Sequence, residues 1–316
     1  MIPGLVNTIT SKISKQVILT GASSPIGQRL VRSLAKEYNV CAIVRDKSRF
    51  SFHEPNSIQI LESDLKSHTT LSLPKKESMS PSAIYLSLLG KNDEEEEMLG
   101  IKNVIDLLKA QHVPNCKSLF ILTSGAYSGG IQEDTSKTVD EFSRNLKKSA
   151  WDRSVFENYA MSLADDRISV AVVRPGWVYG APSKVDRWIS FSSSHEKIPY
   201  TGDLNAFVPL VHIDDLIHLY LQLLQTKPSG IFYAVESSPS LLHILATVQS
   251  HLKLPIHYQD IQSMLENDLE FGHAMLPEFS CKVKATNSLQ FGWKPKKEFA
   301  KACLESANLS AAHSHN

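Results

Sequence analysis

Six short runs of β-type residues, QVILT, NVCAIVR, SIQILES, SAIYLSLL, SLFILTS and ISVAVVRP, succeed one another through the first half of the chain with helical patterns between them. Strand, helix, strand in repetition specifies a parallel sheet with helices on both faces, because parallel neighbours need long crossovers and the crossovers cover the sheet. Between the first two runs Ile26, Leu30 and Leu34 recur every four residues with Val31 beside them, the apolar stripe of one amphipathic helix. Sheets of this kind bind ligands at the carboxyl ends of their strands. After about residue 180 the alternation loosens and Ser and Pro become more frequent, which places a smaller second lobe there.

The totals narrow the function classes. A length of 316 residues with 42% hydrophobic content is ample for one large α/β unit or two modest lobes. Thirty-three basic and thirty-three acidic side chains cancel, and no Lys/Arg cluster with interleaved aromatics occurs, so nucleic acid is not an expected partner. No apolar run approaches the ~20 residues that cross a bilayer, so no membrane association is expected. Cys41, Cys116, Cys281 and Cys303 lie far apart without a CxxC, which fits a reducing compartment and a cytoplasmic protein. The Ser/Thr-rich lead-in MIPGLVNTITSKISKQ, with Lys12 and Lys15 and no acid, faintly resembles an organelle transit peptide, which leaves import as a lesser alternative. No metal site is expected: the HxD of His212 and Asp214 and the terminal HSHN are the sole hints. No GxSxG elbow or HExxH supports hydrolase chemistry.

The stretch VILTGASSPIG joins the first strand to the first helix. A nucleotide pyrophosphate needs backbone N–H groups at a helix N-terminus, with glycines that permit a tight turn and close approach. Gly21 and Gly27 stand six apart in that context, while Ser24 and Pro25 occupy the place of a middle glycine. Pro25 has no N–H for a phosphate but suits the first helical position, and the Ser23 and Ser24 hydroxyls can replace a lost donor. An empty turn is the other reading of these residues alone. Arg45 ends the second strand, from which a side chain reaches the adenosine ribose. A guanidinium there suits a 2′-phosphate, which favours NADP over NAD, unless it is only a solvated strand end. Asp64, closing the third strand, can accept from an adenine amino group or cap the next helix. In KNDEEEEMLGIKNVIDLLKAQ, Asn92 or Asp93 is a plausible cap and the glutamates fill a first helical turn, where the macrodipole favours them.

Taken in order, TGASSPIG, the Asp64-Leu65 pair, AIYLSLL, LTSGAYSG, VVRPGWVYGAP, VPLVHIDDL and FGWKP resemble the extended short-chain dehydrogenase/reductase superfamily, in its NAD(P)-dependent epimerase/dehydratase branch. The likeness runs from about residue 15 to about residue 300. It implies an α/β fold, a Rossmann-type doubly wound parallel sheet carrying NADP or NAD, with a smaller C-terminal lobe that closes over a small-molecule substrate, often a nucleotide sugar. The implied boundaries are a lead-in over 1–14, the Rossmann domain over 15–178 with 205–225 returning to it, a substrate lobe over most of 179–305, and a flexible tail over 306–316. Cofactor is then expected across Gly21, Ser23, Ser24, Ile26, Gly27, Arg45, Asp64, Leu65, Leu86 and Ser87, with Arg153 on a ribose and Pro175 to Val178 beside the nicotinamide. Relatives often pair through two outer helices, so a homodimer stays open.

In such enzymes a Ser or Thr acts with a Tyr and a Lys spaced YxxxK, the lysine lowering the tyrosine pKa toward working pH. Ser124 matches the serine. A glutamate usual four residues after the lysine matches Glu157 in SAWDRSVFENYAMSLA, which puts Ser149 where tyrosine belongs and Arg153 where lysine belongs. On one continuous helix Ser149, Arg153 and Glu157 share a face. Serine is a poor proton donor and arginine does not exchange protons. Tyr127, three residues past Ser124, is the substitute acid, or else packs in the cleft. In the lobe, Lys184, Arg187 and Trp188 either grip an anionic substrate or lie on the surface without a role. The expected function is therefore an NAD(P)-dependent oxidoreductase or epimerase/dehydratase-like protein acting on a nucleotide sugar or a small carbonyl or alcohol, with altered catalytic residues. The other reading is a cofactor-binding sensor or assembly subunit.

Overall fold

The computed structural model describes residues 15–50, 58–65, 80–86, 94–260 and 280–304, apart from 133, 135, 145, 150, 151, 181 and 182. In chain order the strands are β1 Gln16–Thr20, β2 Asn39–Val44, β3 Ile58–Glu62, β4 Ser82–Leu86, β5 Ser118–Thr123, β6 Thr138–Val139, β7 Ile168–Pro175, β8 Trp177–Tyr179, β9 Ile198–Tyr200, β10 Leu210–His212, β11 Gly230–Ala234, β12 Ile256–Tyr258 and β13 Lys282–Val283. The longer helices are α1 Pro25–Leu34, α2 Glu94–Ala110, α3 Ser154–Ser162, α4 Lys184–Ser194, α5 Ile213–Thr226 and α6 Leu241–Leu252. Seven strands form one sheet in the order β11-β7-β5-β4-β1-β2-β3, every neighbouring pair parallel. The order reverses between β1 and β4, the switch point of a doubly wound fold. The Rossmann-type sheet expected from the alternating runs is therefore present, with β11 as a seventh strand.

The two faces of the sheet follow from the two-residue period of a strand. Val17 and Leu19 of β1, Ile84 of β4, Ile121 of β5 and Val173 of β7 pack with α1 and α5, whereas Ile18, Tyr85, Phe120 and Val172 pack with α2 on the other face. Every residue of β1 is buried, as a central parallel strand demands. Leu30, Val31 and Leu34 of the α1 stripe are fully buried, and Ile26 is partly so. Glu94 to Glu97 fill the first turn of α2, while the Asn92 and Asp93 caps lie outside the described residues. Among the described residues no helix is long and apolar enough to cross a membrane.

A third core, built from Tyr179, Trp188, Ile189, Ile198, Leu241 and Leu245 among others, belongs to the smaller lobe. There β8 pairs with β10 and β9 with β12. Trp188 is fully buried and its indole N–H donates to the Pro199 carbonyl at 3.0 Å, so it is a core residue and not a surface grip for substrate. The chain's return to the large sheet extends past the expected 205–225: β11 completes the sheet, and Cys281, Val283, Ala285 and Trp293 join the core on the α1/α5 face.

The outer edge of β11 is closed by side chains. Glu141 Oε1 accepts from the Tyr233 amide at 3.0 Å, Asn287 Nδ2 donates to the Ile231 carbonyl at 2.9 Å, and Ser288 Oγ donates to the Tyr233 carbonyl at 2.6 Å. A short helix, Thr286–Gln290, lies against this edge. Burial raises the Glu141 pKa, and the hydrogen bond from Tyr233 works against that rise.

Asp215 at the start of α5 fastens the C-terminal segment. It is 5% exposed; its Oδ2 accepts from the Lys296 and Lys297 amides at 3.0 and 2.9 Å, and its carbonyl accepts from the Trp293 indole N–H at 2.9 Å. Replacing Asp215 with Ala leaves both amides without their charged acceptor, and hydrogen bonds to charged groups are worth roughly 1.5–3 kcal/mol each. Asp215→Ala is expected to lower unfolding stability by about 3 kcal/mol, read as a lower urea midpoint with an unchanged slope; an unaltered midpoint would contradict this anchoring role.

Candidate functional site

The first link is the turn between β1 and α1. Gly21 has φ +63°, a left-handed conformation natural to glycine, and its carbonyl accepts from the Ser24 N–H at 3.0 Å, which closes the turn. A side chain at Gly27 would bring a Cβ to 2.1 Å from that same carbonyl oxygen, so only glycine lets α1 begin this close to β1. Ser24 is the N-cap of α1: its Oγ accepts from the Gly27 N–H at 3.0 Å, and Pro25 takes the first helical position. The Gln28 N–H donates to the Ser24 carbonyl at 2.8 Å. Of the first-turn amides, Pro25 has none and that of Gly27 is engaged, which leaves the Ile26 N–H facing outward along the helix axis. The Ser24 hydroxyl still carries a proton of its own to donate. The middle of the motif thus keeps a dipole end with fewer amide donors, supplemented by a hydroxyl, and this fits a dinucleotide diphosphate.

Across the switch point, the Leu86 N–H donates to Thr20 Oγ1 at 3.0 Å and Thr20 Oγ1 donates to the Leu86 carbonyl at 3.1 Å, a buried clasp between β1 and β4. A Cβ on Gly21 would touch the Leu86 Cβ at 3.0 Å. Arg45 is exposed just beyond β2. Asp46 beside it caps a 3-10 turn, accepting from the Ser48 amide at 2.9 Å. Asp64 is exposed just past β3; Leu65 is buried and its carbonyl accepts from Asn103 Nδ2 at 3.0 Å. Ser87 lies outside the described residues. Gly21, Ser23, Ser24, Ile26, Gly27, Arg45, Asp64, Leu65 and Leu86 therefore all lie at the carboxyl ends of adjacent parallel strands or at the helix start that follows.

On the other side of the switch point, the Ser124 N–H donates to the Val173 carbonyl at 2.8 Å, and its hydroxyl donates to Ser128 Oγ at 2.9 Å. Pro175 ends β7, Val178 lies in β8 and is partly buried, and Trp177 donates its N–H to the Pro209 carbonyl at 2.7 Å. Tyr127 packs on the α1/α5-side core; its Oη is buried without a hydrogen-bond partner among the described residues, and burial, with the nearby Cys281, drives its pKa up. A phenol so placed is turned into the protein and holds its proton more tightly than in water, opposite to what a working proton donor needs.

The segment expected to be one helix from Ser149 through Glu157 becomes helical only at Ser154. Ile131 and Lys147 exchange both backbone hydrogen bonds at 2.9 Å, and Ser149 Oγ donates to the Tyr127 carbonyl at 2.9 Å. Asp152 Oδ1 accepts from the Ser154 amide at 2.8 Å and starts the helix there. Ser149, Arg153 and Glu157 consequently do not share a helical face. Arg153 occupies the N-cap position of α3, where its guanidinium lies 3.1 Å from Glu97 Oε1 and over the Phe156 ring at 5.3 Å. Glu97 is 1% exposed, so this arginine is the counter-charge of a buried acid.

Sequence reasoning missed the ion pair that organises this side of the site. Arg174 donates to both Glu157 oxygens, at 3.0 and 2.5 Å, and to the Tyr233 hydroxyl at 3.1 Å. Arg174 is 7% exposed and Glu157 2%. The signal was an arginine inside the otherwise apolar strand ISVAVVRP, since a charge buried between two strands requires a partner. Thr20 and Ser128 gave no such signal, because a single hydroxyl has no period or motif. Among the described residues no three His, Cys, Asp or Glu side chains converge as a metal site requires.

A model of the NAD dependent epimerase/dehydratase family matches residues 17–235. Among solved structures, the chain is similar to the human epimerase family protein SDR39U1 (isoform 2) with NADPH, at 17% identity and TM-score 0.67, covering 93% of this chain and 99% of that one. It is also similar to UDP-N-acetylglucosamine 4-epimerase from Methanobrevibacter ruminantium M1 in complex with UDP-N-acetylmuramic acid, at 14% identity and TM-score 0.72, covering 95% and 99%. A third is dTDP-glucose 4,6-dehydratase from Bacillus anthracis in complex with NAD, at 14% identity and TM-score 0.72, covering 96% and 98%. No curated protein matches the chain.

Removing one partner of a buried ion pair strands the other and costs roughly 3–5 kcal/mol. Glu157→Ala is therefore expected to destabilise the protein by about that amount in chemical denaturation. A loss below about 1 kcal/mol, the range of exposed pairs, would mean that Arg174 finds water instead.

Proposed function

The chain belongs to the NAD dependent epimerase/dehydratase family, and on that premise we propose that it binds NADP(H) across the β1/β4 switch point and uses it on a small carbonyl, alcohol or nucleotide-sugar substrate. The observation that carries the reading is the Gly21 to Gly27 turn, whose two glycines admit no side chain and whose Ser24 and Pro25 open a helix at the end of the central strand. Gly21, Ser23, Ser24, Ile26, Gly27, Leu86 and Ser87 hold the diphosphate side in this proposal. Asp64 and Leu65 hold the adenine, and Pro175 and Val178 border the nicotinamide. The preference for NADP rests on Arg45: an exposed guanidinium at the end of β2 suits a 2′-phosphate, where an acid would suit a free ribose. Relatives solved with nucleotide sugars and with NADPH or NAD support this substrate and cofactor class.

When bound, the nicotinamide supplies or takes a hydride. The chain's own part is to hold the reacting oxygen and move a proton at it. Ser124 is the hydroxyl for that task, and Ser128 at 2.9 Å can return a hydrogen bond to it when Ser124 turns to substrate. No tyrosine–lysine couple assists: Ser149 donates to a backbone carbonyl, Arg153 neutralises Glu97, and the Tyr127 hydroxyl is inside the protein. Turnover is accordingly slow in this reading, general acid–base assistance being worth ~100–10,000-fold. Those same three side chains, two engaged and one turned inward, favour the second reading, a cofactor-binding sensor or assembly subunit without turnover.

Calorimetry with NADPH and NADH, followed by absorbance and product analysis over nucleotide sugars and small carbonyls, separates the readings. NADPH is expected to bind more tightly than NADH. Arg45→Ala is expected to weaken NADPH about 10- to 100-fold, the worth of one charge-assisted bond, with little change for NADH. Equal losses for both would remove the basis of the preference. Turnover abolished by Ser124→Ala supports the enzyme, tight binding without turnover supports the sensor, and no binding heat from either nucleotide rejects both.

A further inference from the structure

The segment that follows Trp293 carries an uneven load of charge. From Lys294 to Lys301 it holds four lysines against one acid, Glu298, although the chain as a whole is neutral. All four lysines are exposed. What fixes the segment is backbone and indole: the Lys296 and Lys297 amides donate to Asp215 Oδ2, and the Trp293 indole N–H donates to the Asp215 carbonyl. The ammonium groups take no part in that anchor, so the fold holds these charges in place without neutralising them through it.

The segment lies beside the proposed cofactor turn. Asp214 and Asp215 open α5, and Asp214 Oδ1 accepts from Arg29 Nε and Nη2 of α1 at 3.1 and 2.8 Å. Lys297 Nζ stands 4.0 Å from the other Asp214 oxygen. Arg29 is one turn past Pro25, the first residue of α1, which puts it ~6 Å along the axis from the helix start. That is shorter than the Debye length of ~8 Å at physiological salt, so these charges are felt at the turn and in the water before it. Four acids face the five cations: Asp214, Asp215, Glu298 and Glu236, the last repelled by Asp215 and Glu298. Asp215 is buried, and Glu236 has one oxygen on the Tyr179 hydroxyl and the other buried. Glu298 is matched by Lys301 at 3.1 Å and Asp214 by Arg29. With two of the acids turned inward, the outward face is left positive.

We propose that Lys294, Lys296 and Lys297, with Arg29 behind them, steer the anionic dinucleotide toward the start of α1 before it docks, and bond none of it in the complex. This rests on the NADP(H)-binding reading above. A dinucleotide brings its diphosphate, and NADP(H) adds a 2′-phosphate, so the attraction is stronger for the phosphorylated form. A charge that acts ahead of contact raises the association rate and leaves the dissociation rate alone, because its field is nearly the same for a docked ligand and for one about to dock. The lysines and Arg45 thus divide the work: Arg45 holds the 2′-phosphate in the complex, and the lysines act on its arrival.

Stopped-flow binding of NADPH to the full chain reads the two rate constants separately. At about 20 mM salt K296E/K297E is expected to slow association about tenfold with dissociation unchanged, and NADH should slow less. At about 0.5 M salt, where a Debye length of a few ångströms screens the lysines, the variant and the unmodified chain should associate alike. K296R/K297R keeps the charge and should associate as the unmodified chain does, which separates charge from packing. Should K296E/K297E lose stability, K294Q/K296Q carries the same test, with about threefold slower association expected at low salt. An association rate unmoved in the charge-altered variants overturns the steering role. Faster dissociation with an unchanged association rate overturns it as well, since that marks direct contact. No binding of either nucleotide by the unmodified chain removes the NADP(H) reading and the steering with it, whereas NADPH binding with unaltered association rates removes the steering alone.

Discussion

Helix α1 can begin where it does because Gly27 has no side chain to strike the Gly21 carbonyl. That approach aims the positive end of the helix at the carboxyl edge of the central strand, and everything at the edge is arranged around it. Thr20 clasps β1 to β4 directly behind the turn, its buried hydroxyl bonded to both the amide and the carbonyl of Leu86, which fixes the two strands at the switch point. Ser24 and Pro25 then appear less as defects in a glycine pattern than as a different way of starting the same helix. A cap hydroxyl and a ring with φ already set take over the work a middle glycine does elsewhere.

The far side of the crevice has a different economy. Its polar groups are committed to the protein itself: Arg174 to Glu157 and Tyr233, Arg153 to Glu97, Ser149 to the Tyr127 carbonyl. Ion pairs of this kind fix geometry at the expense of reactivity, since each guanidinium is held to a buried acid. The result is a firm wall beside the proposed nicotinamide position and the proposed reacting hydroxyl of Ser124. Rigidity there suits holding a cofactor more directly than it suits moving protons.

The sheet and the turn at its central strand were legible because they rest on local period and short-range turn chemistry: β1 reads as a buried strand, the α1 stripe as a helix, and the six-residue glycine spacing as a close approach. The helix at Ser149 was misread because its neighbours decide the matter. Nothing in SAWDRSV reveals that Lys147 is paired with Ile131 or that Asp152 accepts from the Ser154 amide, so spacing alone suggested a continuous helix. Trp188 was misassigned for a similar reason, since an aromatic directly after a charged pair can face either way until the lobe closes around it. The late return of β11 to the sheet, and the Tyr179–Glu236 contact across 57 residues, depend on long-range topology that a linear reading does not contain.

The side-chain seal over β11 sets a limit on how this architecture can grow. With Glu141, Asn287 and Ser288 occupying the outward backbone groups, an eighth strand cannot be laid down on that flank by lengthening a loop. A descendant that widened its sheet there would have to lose the Glu141 turn and the short helix together, and with them the tether of the C-terminal segment. Insertions can accumulate without that penalty in the connections of the smaller lobe, which is free to diversify while the sheet keeps its width.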